Sequence, residues 1–208
     1  MPKTETTLLY VAGTGSLAAD VVEIARDAGH EVGGLIELMD DTRVGTTVHG
    51  LPVVGIEAPP APDAAAVLGA GGDRAGPYER LEAHGWRLEA VVHPGAHVPP
   101  SVRIGAGAVV GPGVVFGAGA SVGRGAQVSR GALVGHHTRV EDFATLNPGV
   151  NVAGNSVVER GAFLGLGCLV SDHMRVGAGA VVAAGAVVVR DVAPGTRVQG
   201  IPARAVER

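Results

Sequence analysis

From Val92 onward every sixth residue is apolar: Val92, Val98, Ile104, Val110, Phe116, Val122, Val128, Val134, Val140, Leu146, Val152, Val158, Leu164, Val170, Val176, Val182 and Val188. All 17 positions are apolar, sixteen are aliphatic, and no insertion breaks the register. A period of six fits neither a helix nor a plain strand. It fits short strands joined by turns and wound into a solenoid. Four places after each aliphatic residue comes a second series of mostly small residues, among them Ala108, Ala120, Ala132, Thr138, Ser156 and Cys168. One place before each of these, 11 of the 17 positions are Gly. The aliphatic and small residues are expected to point inward, and Gly to sit in a turn that needs φ > 0. Three hexads, 18 residues, make one triangular coil, so residues 18 apart should stack at about 4.8 Å.

Composition agrees with such a core. Aromatics are only 3% of 208 residues, and Gly supplies 34 of them. The length allows one or two domains. The single cysteine, Cys168, excludes an internal disulfide framework and suits a reducing, cytoplasmic setting. Net charge is −4 and aromatics are scarce, which argues against nucleic acid as a partner. No run of about 18 apolar residues lacks Gly, Pro or charge, so no membrane insertion is expected. The opening MPKTETTLLYVAGTG lacks the architecture of a signal peptide.

Residues 7–91 follow another rhythm. TLLYVAG, Glu31–Glu37, LPVVG, DAAAVLGAG and LEAVVH read as short strands, and Ser16–Ala28 and Tyr78–His84 as helices, the first ending at Gly29. Strands alternating with helices predict a small parallel α/β sheet. Its first strand-to-helix turn, Gly13-Thr14-Gly15-Ser16-Leu17-Ala18, fits G-x-G-x-x-A, in which backbone N–H groups at a helix start cradle phosphate. Glu37, closing the second strand, stands where a ribose hydroxyl is held in such folds. The module is too short for two mononucleotide halves, so Gly13, Gly15, Ser16 and Glu37 point to a nucleoside diphosphate rather than a dinucleotide. The competing reading is a tight turn that only packs a helix on a sheet.

The hexads IGAGAV, VGRGAQ and VGAGAV resemble the repeat of left-handed parallel β-helix acyltransferases. YVAGTGS, VHGLPVVG, LEAVVHPGAHVPPSVRIG and GIPARAV, in this order, extend the resemblance over the whole chain to bacterial nucleotide-sugar acetyltransferases of the NeuD/PglD type. The resemblance implies a Rossmann-like α/β domain over residues 1–91, a left-handed β-helix over 92–193 and a tail over 194–208. It also implies acetyl-CoA as co-substrate, a nucleotide-linked sugar as acceptor, no metal, and a homotrimer with active sites shared between adjacent chains. Leu17 and Thr145 stand where His is common in the family, and Glu37 where Asp is more usual.

Five of the eight histidines, His30, His49, His84, His93 and His97, read as structural or solvated. In VGHHTR, His137 takes the Gly turn place, which His tolerates. His136 does not, and its neighbours one coil away, Ala118 and Gly154, leave space beside its ring. The family segment around the catalytic base reads like V-E-H-D-C-x-I-G-D-F-x-H. The resemblance therefore places the base at His136, with His137 in place of the neighbouring acid and Glu141 or Asp142 as substitute carboxylates. Moving acetyl from a thioester to an amine or hydroxyl needs a proton acceptor with a pKa near neutrality, which imidazole supplies. The N–H of Gly154 is the candidate oxyanion donor. Gly154, Gly179 within the Gly/Ala-rich coils 176–187, and Arg204, with Arg197 near it, are the candidate CoA contacts; the competing reading of both arginines is ordinary solvated charge. Cys168 falls on an inward position and is expected to be a core thiol, not a nucleophile.

The expected activity is N-acetylation of an amino-deoxysugar carried on a nucleotide, with sugar O-acetylation as the alternative. Two further readings stand. A γ-type carbonic anhydrase draws on His137 and His173, 36 apart, but its third ligand position is Ala178. A solenoid that binds without turnover is the other.

Overall fold

The computed structural model describes residues 8–57, 59 and 61–206; the first seven residues of the expected N-terminal domain and the last two of the tail lie outside the described residues. The N-terminal unit contains β1 (Leu8–Ala12), α1 (Ser16–Asp27), β2 (Glu31–Ile36), β3 (Thr47–Val48), β4 (Leu51–Val54), β5 (Ala65–Leu68), α2 (Ala75–Ala83) and β6 (Arg87–Leu88). α2 begins ahead of the expected Tyr78 because Asp73 Oδ1 accepts from the N–H groups of Ala75 and Gly76. The expected strand LEAVVH divides: β6 stays with the N-terminal sheet, while Val91–Val92 pairs with Val109–Val110 and begins the solenoid. β3 was not expected. It forms a tight antiparallel hairpin with β4 through His49 and Gly50, both at positive φ.

The strand order is β3-β4-β2-β1-β5-β6, parallel throughout except for β3 with β4. β2 and β5 flank β1 on opposite sides, so the chain reverses its progress across the sheet at β1. Ligands of such sheets bind off the strand ends at this point. No helix among the described residues is long and apolar enough to cross a membrane.

Beyond residue 90 the chain is a parallel β-helix of two-residue strands. Leu133 pairs with Val115 and Asn151, and Arg139 with Ser121 and Val157, each 18 residues away. From Val110 to Val188 every member of the aliphatic series is buried. At 14 of the 17 turn positions φ is positive, including His137, Phe143, Asn155 and His173; Gly95, Ser101 and Asp191 are the exceptions. Polar members of the inward column are satisfied: Thr138 Oγ1 donates to Ala153 O at 2.9 Å and Ser156 Oγ to Ser171 O at 3.0 Å.

The prism has three faces. A docked face (Val91–Val92, Val109–Val110, Gln127–Val128, Thr145–Leu146, Phe163–Leu164) carries the N-terminal unit. A free apolar face (Val115–Phe116, Leu133–Val134, Asn151–Val152, Leu169–Val170, Val187–Val188) presents Val115, Leu133 and Leu169, each more than 40% exposed. An arginine face (Arg103–Ile104, Ser121–Val122, Arg139–Val140, Val157–Val158, Arg175–Val176) completes it.

Two buried side chains, Phe143 and Arg74, tie the units together most deeply. Phe143 adopts φ 62, a conformation costing a bulky residue about 1–3 kcal/mol. In return its ring meets Tyr78 of α2 edge-on at 5.2 Å, inside the N-terminal core. Arg74, 2% exposed, donates through Nε to Gly125 O and through Nη1 to Ala70 O and Gln127 Oε1, all within 2.8 Å. Burial pulls its pKa down to about 10, so it stays charged at neutral pH. Replacing Arg74 by Ala removes three charge-assisted bonds and leaves a void. We expect a loss of about 2–4 kcal/mol in a denaturant midpoint experiment, only partly recovered by Arg74→Lys, which lacks the planar fork.

Candidate active site

The turn after β1 lies at the reversal point of the sheet. Gly13 adopts φ 127, and a Cβ there would come 3.0 Å from Gly69 O, so a side chain would strain the turn twice over. Gly15 caps α1 without any side-chain bond, which leaves the first-turn N–H groups, including that of Ser16, open to an anion. Arg43, which the sequence did not single out, and His49, read from sequence as structural or solvated, close around this turn. Arg43 Nη1 donates to Thr14 Oγ1 at 3.1 Å, and His49 Nε2 stands 3.3 Å from Gly15 O. Arg43 comes from the loop between β2 and β3 and His49 from the β3–β4 hairpin turn, and only their convergence in space reveals the contact.

Glu37 makes local hydrogen bonds that the sequence alone does not reveal. Its Oε1 accepts from the N–H groups of Leu38, Met39 and Asp40, and its Oε2 from the Thr14 hydroxyl. The carboxylate binds the chain's own donors and orders the loop that places Arg43. Burial alone would raise its pKa; the bonds from Met39, Thr14, Asp40 and Leu38 outweigh this and hold it below the usual carboxylate range.

His136 and His137 lie on the edge between the free apolar and arginine faces, and both are exposed. Their Nδ1 atoms are 3.2 Å apart, and the rings meet at 79°. The positive φ of His137, 56°, turns its ring back toward His136. The Nε2 side of His136 lies over Gly154: a Cβ on Gly154 would come 2.6 Å from Nε2. Gly154 is buried, and its N–H donates no hydrogen bond among the described residues. Glu141 and Asp142 do not supply the missing acid. They sit on the next edge, where Glu141 accepts from Arg160 N and Asp142 from Arg124 N and Nε.

The other expected CoA contacts are not beside His136 within one chain. Gly179 stands on the edge between the arginine and docked faces, and Arg204 in a terminal strand that pairs with Arg197–Gln199. Cys168 is fully buried and its thiol is pushed up to about 12 by desolvation, which makes it inert. His137 and His173 share one column but are separated by Asn155, and no group of three metal-ligating side chains occurs among the described residues. His93 is a strut: Nδ1 accepts from Gly95 N and Nε2 faces Asp27 of α1 at 3.1 Å.

A cleft of about 440 Å³ runs between α1 and the docked face, from Leu17 past Val21 and Ile24 to Asp27, opposite Ser129, Asn147 and Phe163. It opens at Leu17, beside the turn after β1. His136 stands on the edge opposite the docked face, so turn, cleft and imidazole do not meet within a single chain.

No protein-family model and no curated protein matches the chain; the likeness is to solved structures. One is the perosamine N-acetyltransferase of Caulobacter crescentus, as a variant with one histidine replaced by asparagine, in complex with CoA and GDP-perosamine. It aligns with a TM-score of 0.87 and 30% identity over 97% of each chain. The acetyltransferase domain of PglB from Neisseria gonorrhoeae, in complex with acetyl coenzyme A, gives 0.87 and 31% over 97% of this chain and all of that one. WeeI from Acinetobacter baumannii gives 0.85 and 26% with the same coverage. The chain belongs to the bacterial nucleotide-sugar acetyltransferases of the hexapeptide-repeat type.

Acyl transfer is the chemistry of this family, and both sites of this acetyltransferase have physical handles. Because the pKa of Glu37 is lower folded than unfolded, its contribution to stability is full above the unfolded value and is lost as pH falls through the folded one. Glu37→Gln should lower the melting temperature at pH 7, and the gap to the native protein should close as thermal scans move toward pH 3.

Proposed function

We propose that this enzyme transfers acetyl from acetyl-CoA to the amino group of a nucleotide-linked amino-deoxysugar, in the cytoplasm, with His136 as general base. The observation that carries the reading is the exposed His136 ring, anchored through Nδ1 and lying over the buried, unpartnered N–H of Gly154. The acceptor of the Caulobacter relative, GDP-perosamine, supports a sugar of this kind. In this reading the N-terminal unit is Rossmann-like in use, and the β-helix is left-handed, as in the family.

The diphosphate sits on the N–H groups of Gly15 and Ser16, with Arg43 alongside, and the sugar extends into the cleft past Leu17. The amine nitrogen attacks the thioester carbonyl while His136 Nε2 takes the proton that the nitrogen loses. The carbonyl oxygen gathers negative charge and is met by the Gly154 N–H. Collapse of the tetrahedral species expels the CoA thiolate, which takes the proton back from His136. No covalent enzyme intermediate forms, consistent with the buried, inert Cys168.

Since cleft and base lie on opposite sides of one prism, the base must come from a second copy. The exposed stripe Val115, Leu133 and Leu169 flanks the His136 edge and supplies the contact for a homotrimer. Gly179 and Arg204 then meet CoA from edges of a neighbouring chain.

The test is CoA release from acetyl-CoA with a panel of UDP-, dTDP- and GDP-linked amino sugars. One of them should be turned over, and His136→Ala should reduce kcat by roughly a hundredfold or more. Undiminished turnover in that variant would refute the base. Leu133→Glu combined with Leu169→Glu should give folded monomers by light scattering and no measurable transfer. Gly154→Ala, which drives a methyl group into the imidazole, should abolish transfer while leaving the trimer intact.

A further inference from the structure

The His136–His137 contact holds a constraint that a histidine paired with an acid does not have. A hydrogen bond between two Nδ1 atoms needs one proton and one lone pair between them. The neutral pair therefore exists in two arrangements. In one, His136 carries the shared proton on Nδ1, leaving its Nε2 free to act as a base, and His137 is protonated on Nε2. In the other, His137 carries the shared proton, and His136 is protonated on Nε2 and cannot accept.

We infer that His137 is a positioning residue that sets the tautomer of the base, and that the two imidazoles share one proton and titrate as a unit. This inference rests on the assignment of His136 as the base. Adding a single proton to the pair, on either ring, leaves a proton on His136 Nε2. One protonation of the pair thus silences the base, whichever ring carries the positive charge, and the acid limb of the rate profile belongs to the pair.

Within one chain the surroundings leave the decision to these two rings. The preceding coil offers Ala118 and Gly119, and the following coil Gly154 and Asn155, none of them ionisable. Asp172 and His173 stand two coils on, at about 10 Å. On their own coil the nearest charge is Arg139, on the arginine face. No carboxylate hydrogen-bonds to either ring among the described residues. A carboxylate at position 137 would accept but never donate toward His136 and would favour the imidazolium. The native pair does neither, so part of the population of this enzyme stands in the silent arrangement.

The backbone permits a clean test. Asp, Asn and Gly all tolerate the left-handed turn at position 137, and the Oδ1 of Asp or Asn falls at the branch position of His Nδ1. Two measurements are made on each variant: kcat/KM against pH, and ¹⁵N NMR of the ring nitrogens in the trimer without substrates. His137→Asp should raise the acid-limb pKa by about one unit and place the His136 proton on Nδ1. His137→Asn should populate the same tautomer without that rise. His137→Gly keeps the turn but should lose roughly tenfold in kcat, with a mixed-tautomer spectrum.

If His137→Gly matches the native protein in rate, pH profile and His136 spectrum, His137 is only a turn residue and the inference is overturned. In that outcome His136→Ala remains inactive, which keeps failure of this inference distinct from failure of the base assignment.

Discussion

The structure depends on one repeated backbone bargain: a left-handed turn residue at each corner lets the chain bend between strands two residues long, and each strand then hydrogen-bonds to its copy 18 residues away. The strand amides of each coil bond to the coils above and below, and the inward aliphatic and small residues need only fill a narrow triangular bore. Val, Ala and Leu suffice for this, which is why a chain so poor in aromatics keeps a dry core.

Gly is the least costly residue at the corner, so the departures from Gly carry information. Four corner residues accept positive φ with a side chain: His137, Phe143, Asn155 and His173. Phe143 uses its position to plug the N-terminal unit. His137 uses the same backbone shape on another edge to turn its ring back to a neighbour. Strain at a corner is thus tolerated where the side chain has work outside the prism.

Most of the β-helix was legible in the sequence because its signal is additive over seventeen hexads, and the first helix and strands of the N-terminal unit were legible for ordinary reasons of capping and periodicity. His136 could be picked out because its column neighbours Ala118 and Gly154 are small. What escaped was whatever depends on two segments meeting. Arg43 comes from a loop with no periodicity and His49 from a hairpin turn, and β3 and β4 bring both to the turn after β1. The local bonds of Glu37 were hidden for the same cause: sequence shows where a carboxylate stands but not that Leu38, Met39, Asp40 and Thr14 donate to it. The split of LEAVVH was hidden because both halves have identical strand character and differ only in the partner each finds.

The fixed rise and threefold turning of the coil also mean that position along this chain is quantised. An inserted stretch of 18 residues lengthens the barrel by one storey and leaves every edge aligned. An insertion of six keeps the inward pattern perfect yet rotates everything downstream by a third of a turn. Placed before His136, it would carry the imidazole to a different side of the molecule. Hydrophobic patterning alone cannot protect the site against that error, so selection for activity must count coils, not just residue types.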